Sequence, residues 1–159
     1  LIEVGGKGTM EAFLSDGLRS LLFTMKAEDM SEYTVRWPGH IQRYIDERDA
    51  GELDLDALLD SWTLDKTRDE FTWMEVKAEN ETQRFIWRIE DSGSKGDSSM
   101  ARTTGLVTLA TALTLCENDE ILPSGVFSPE ELPPAFLDRA LSLMVKNGVK
   151  IEHHIERSN

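Results

Sequence analysis

Cysteine occurs once in these 159 residues. A lone thiol cannot close an internal disulfide, and no grouping of Cys, His and carboxylates has the spacing of a zinc site. Cys116 lies inside an apolar helical run, so it is expected as a buried thiol packing like a small hydrophobe. No apolar run approaches the length of a membrane span, and no signal peptide is expected. Basic residues are scarce, 17 against 30 acidic ones, for a net charge of −13. Such a surface repels phosphate backbones and anionic lipid, so neither nucleic acid nor a membrane is expected as a partner. Together these features lead us to expect a reducing cytoplasm. The start at Leu-Ile-Glu-Val, without an initiator Met, fits a piece of a longer polypeptide.

The common catalytic signatures are missing too. "GGKG" at 5–8 and "GSKGDSS" at 93–99 match neither a phosphate loop nor a dinucleotide fingerprint. There is no Gly-x-Ser-x-Gly elbow, and an independent hydrolase has no nucleophile–base pair behind it. His153 and His154 are neighbours on a terminal strand, so their side chains face opposite ways and read as strand filler rather than a metal pair.

What is present reads as a globular domain. Hydrophobic residues make up 40% and charged residues 30%, too apolar for a disordered chain. The length fits one domain spanning 1–159, able to bury roughly 70% of its unfolded surface. Residues 46–70 hold ten acidic and three basic side chains, which marks a solvated acidic helix and loop.

Local patterns supply the elements. "EVGGKGTMEAF" is a turn and then a strand over Thr9–Leu14. "SDGLRSLLF" is a short helix with Ser15 or Asp16 as its cap. "EYTVRW" is a strand stopped by Pro38, which suits the first turn of a helix through "GHIQRYIDERDAG" ending at Gly51. A second short helix covers Asp54–Trp62. Phe71–Glu79 and Thr82–Glu90 alternate around Asn80-Glu81 as a hairpin with large apolar groups on both faces, which calls for cover on both sides. "DSGSKGDSS" is a loop. A long helix from about Thr104 to Glu117 carries Leu106, Leu109, Ala110, Leu113 and Thr114 on one stripe, and its wide apolar surface predicts deep burial. "LPSGVFSPEELPP" is a connector, "AFLDRALSLMVKNG" a helix stopped by Gly148, and "VKIEHHIE" a closing strand. The expected fold is α+β, with a mixed, mostly antiparallel sheet packed against helices.

Two spots carry candidate chemistry. In "VRWPGH", Arg36 ends a strand and His40 follows a sharp Pro38-Gly39 turn. An arginine there can pair bidentately with a carboxylate, and a histidine can move a proton near neutral pH. In "MARTTG", Arg102 beside a helix N-terminus can attract an anion. The structural alternatives are a surface arginine, a helix-cap histidine and an ordinary helix start.

"GTMEAFLSDGL", "TVRWPGH" and "SSMARTTG", in that order, resemble signature stretches in the C-terminal substrate domain of the saccharopine dehydrogenase family, in its lysine 6-dehydrogenase-like branch. The likeness runs from about Gly8 to Val149, with Trp37 where the family usually has Tyr. It implies the substrate side of a cleft, with an N-terminal Rossmann domain, absent from this sequence, binding NAD or NADP. It further implies an amino-acid substrate oxidised or reduced at a C–N bond, and a homodimer. By resemblance, Asp16 and His40 are catalytic candidates, and Arg36, Arg102, Thr103 and Thr104 are substrate-binding candidates. No cofactor or metal is expected on this chain, and by itself it is expected to be inactive. A non-catalytic dimerisation or ligand-binding module is the alternative.

Overall fold

The computed structural model describes residues 1–65, 67–93, 96–117 and 124–157. The chain divides into two compact units, Leu1–Asp65 and Lys66–Asn159. Among the described residues each unit holds one three-stranded antiparallel sheet accompanied by helices, so the fold is α+β. None of the described helices is long and apolar enough to cross a membrane.

In the first unit β1 (Ile2–Val4), β2 (Gly8–Leu14) and β3 (Tyr33–Arg36) pair in sequence order. The two-residue period puts Val4 and Met10 on one face, where both are buried. Glu11 and Arg36 are direct cross-strand partners on the opposite face. The helix expected through "SDGLRSLLF" shrinks to a single turn, α1 (Leu21–Thr24). Ser15 does not cap it, because its hydroxyl bonds Glu32 and Thr34. Arg19 sits in the left-handed region at φ 39°, which keeps the backbone non-helical until Leu21.

Helix α2 (His40–Ala50) starts just past Gly39 rather than at Pro38, since Gly39 holds a left-handed φ of 89° that a helix cannot contain. It stops where Gly51 turns left-handed and Glu52 N donates back to Glu47 O at 2.9 Å. Helix α3 (Leu55–Ser61) is capped by Asp54, whose carboxylate accepts from Ala57 N at 3.0 Å. Its Leu58 is 1% exposed, a burial that stabilises by about 1.5–3 kcal/mol.

In the second unit β4 (Thr72–Glu79), β5 (Gln83–Asp91) and β6 (Lys150–Arg157) form the sheet. The hairpin turn lies at Glu81-Thr82, one residue later than expected. Asn80 causes the shift: its side-chain oxygen accepts from Thr82 N and Gln83 N, both at 2.9 Å, replacing a backbone carbonyl. The register gathers Met74, Val76, Phe85, Trp87, Ile89, Ile151 and Ile155 on one face. The other face carries Glu75 between Lys77 and Arg88, and Lys150 against Glu152, interrupted by Trp73 and Ile86. His153 stacks on Trp87 with ring centroids 4.3 Å apart, while His154 stands opposite Ile86 on the other face.

Helix α4 (Ser99–Cys116) begins five residues before the expected start. Ser98 caps it, its side chain accepting from Ala101 N at 3.2 Å. Deep burial does not follow either. Ala110 and Thr114 are buried where α4 lies along α5 (Pro134–Lys146), but Leu109 and Leu113 remain exposed. Cys116, at the last position of α4 and off that narrow line, is exposed instead of buried. A 3₁₀ turn, Pro129–Glu131, is closed by a capping box between Ser128 and Glu131. Helix α5 buries Phe136, Ala140 and Met144 and ends before Gly148, at φ 88°. Ser94 and Lys95 of the expected loop, and Leu122 and Pro123 at the head of the expected connector, lie outside the described residues.

Candidate functional site

The "VRWPGH" segment is fixed by a residue far away in sequence. Gly39 occupies the N-cap of α2 and has no side chain to accept from the first-turn N–H groups. Glu11, on β2, does so instead: its two oxygens accept from Gly39 N at 2.7 Å and Ile41 N at 2.8 Å. These bonds, from Ile41 first and then Gly39, hold the Glu11 carboxyl below the usual carboxylate range. Glu11 is thus ionised at neutral pH and ties the end of the sheet to the start of the helix.

His40 lies between those two anchored amides. Its ring stacks on Trp62, just past α3, with centroids 4.0 Å apart and planes 18° from parallel. Arg43 helps set that contact, since it bonds Ser61 of α3 at 3.0 Å from its place on α2. Burial against Trp62 and then the Arg36 charge push the His40 pKa down, with Glu11 pulling weakly the other way. The imidazole is therefore neutral at pH 7 and able to accept a proton. Arg36 is exposed, and its guanidinium donates from Nη1 to Val35 O at 2.9 Å. The structure therefore joins Arg36 and His40, with Glu11 and Trp62 as companions that the sequence did not single out.

The other candidates are held by different partners. Asp16 is exposed and engages Arg19 at 3.5 Å. Arg102, Thr103 and Thr104 belong to the second unit. Arg102 grips Asp91 through Nε at 2.9 Å and Nη2 at 3.3 Å, and Nη2 also donates to Asn147 O at 2.7 Å. It borders an open cleft of about 390 Å³ with Glu90 and Lys150, where basic and acidic groups alternate. The N-terminus of α4 already holds an internal anion, because Glu70 accepts from Ser99 N at 2.6 Å. Thr103 returns its hydroxyl to Ser99 O at 2.9 Å, and Thr104 is an exposed residue of the second helical turn. An anionic ligand would thus meet competition at Arg102 and an open guanidinium at Arg36.

No protein-family model matches the chain, and no curated protein matches it significantly. Among the described residues, no group of three or more His, Cys, Asp or Glu side chains could hold a metal ion.

Glu11 escaped the sequence reading because nothing local marks an exposed strand glutamate as a cap. The available signal was indirect: a helix whose N-cap is glycine needs an acceptor from outside its own segment.

Proposed function

We propose that this chain is the substrate-side module of a saccharopine dehydrogenase-like oxidoreductase acting on the C–N bond of an amino acid. One observation carries the reading: an exposed guanidinium and a neutral imidazole, Arg36 and His40, share one end of the first unit's sheet. In this reading Arg36 binds the substrate α-carboxylate bidentately, and His40 takes a proton from the substrate ammonium, leaving the free amine. Asp16 is a secondary candidate for that proton step. Oxidation also needs a hydride acceptor, which NAD or NADP supplies when bound.

The residues of this chain do not fit a nicotinamide dinucleotide. Both described sheets are antiparallel, and the sequence has no glycine fingerprint between a strand and a helix. The acceptor is therefore assigned to a separate Rossmann domain. Titrating NAD or NADP into the chain should release no heat in calorimetry, while lysine or saccharopine at millimolar concentration should shift the His40 ring resonances. Micromolar dinucleotide binding, or silent His40 resonances, would refute the proposal.

A second reading, a dimerisation module, rests on the second unit. Met74, Val76, Trp87 and Ile155 share one sheet face and are between 37 and 56% exposed. A face of that kind suits a second copy of the chain. Sedimentation velocity at micromolar concentration should give a dimer, and Trp87→Glu a monomer. A wild-type chain that sediments only as a monomer removes this reading.

A further inference from the structure

We propose that Glu11 and Trp62 are positioning residues for His40, Glu11 fixing its backbone from both sides and Trp62 fixing its ring. The inference rests on the reading that His40 moves the substrate proton, and it adds the device that holds the ring ready.

Glu11 accepts from the amides of Gly39 and Ile41, the residues immediately before and after His40. With both neighbours anchored to β2, the Cα of His40 cannot drift as the first turn of a helix ordinarily frays. A histidine has two further torsions, and the Trp62 stack at 4.0 Å restrains the ring plane that they set. That stack is itself secured, because Trp62 N donates to Leu58 O and Leu59 O, and Leu58 is buried. A base held in one geometry before substrate arrives loses less entropy at the reactive step.

The two supports also act on the ring's charge in opposite senses. Glu11 is an anion near it and favours the imidazolium. Trp62 removes water from one ring face and favours the neutral form. Among the described residues the remaining charged group acting on the ring is Arg36, from the end of β3, and Trp62, just past α3, is uncharged.

Titration of the histidine ring protons by NMR tests this in the chain as it stands. Glu11→Gln should move the His40 midpoint down, Trp62→Leu should move it up towards the value of a free histidine, and Glu11→Asp should stay nearer the parent than Glu11→Gln. Circular dichroism confirms that each variant remains folded. If His40 titrates in folded Glu11→Gln and Trp62→Leu as it does in the parent, the positioning role is overturned. Failure of the substrate reading looks different, since His40 midpoints would move as described while its resonances ignored added amino acid.

Discussion

Arg102→Ala is expected to lower the thermal midpoint by roughly 5–15 °C, since removing one partner of a buried ion pair strands the other. Asp91 is the group left behind. Its side chain is 4% exposed, and Arg102 supplies two of its hydrogen bonds. The same arginine reaches Asn147 O, so one side chain ties α4, the end of β5 and the turn that follows α5. Arg102→Lys should recover little, because an ammonium cannot reproduce the planar fork. Asp91→Ala combined with Arg102→Ala should melt above the sum of the single losses, as residues acting through each other do. Calorimetric scans of the four proteins check this, and an unchanged midpoint for Arg102→Ala would show that the clamp contributes nothing.

Arg36→Ala carries the largest expected effect on activity. On the proposed reading, with the chain joined to a dinucleotide domain, KM for the amino acid should rise about 10–100-fold, the usual loss for a charge-assisted hydrogen bond to a carboxylate. The value of kcat should change less, since such a bond is made in both ground and transition states. Arg36→Lys should fall between the two, keeping the charge without the fork. Steady-state kinetics following nicotinamide absorbance decide the matter, and wild-type constants for Arg36→Ala would remove this arginine from the proposed site. The comparison with Arg102→Ala is informative. One arginine is expected to govern binding with little change in melting, the other melting first.

Much of the architecture was legible because it is local. Alternation over "FTWMEVKAE" and "QRFIWRIED" marks two strands without knowledge of the rest of the chain, and Gly51 and Gly148 stop their helices by backbone chemistry alone. The α+β class follows from those elements. What escaped is held together at long range. Glu11 acts on an amide 28 residues away, and Glu70 meets Ser99 across 29. No periodicity points from one to the other. The start of α4 was misread for a related reason: Ser98, Thr103 and Thr104 are all plausible caps, and the choice depends on contacts outside the segment. Cys116 and Leu113 looked like interior residues because burial was inferred from composition, whereas exposure is decided by what lies opposite. At the site, residue chemistry picked out Arg36 and His40. It had no means of finding Trp62, which only tertiary packing brings against the imidazole.

The strict two-residue alternation of β5 has a consequence for how the second unit can vary. Phe85, Trp87 and Ile89 share the oily side, and Arg84 and Arg88 the ionic side. Inserting one residue early in β5 would turn every later side chain of that strand over, setting guanidinium groups among Met74 and Val76 and an indole among carboxylates. Length changes between β4 and β5 should therefore be confined to the Glu81-Thr82 loop, where an added residue leaves both strands facing as they do now.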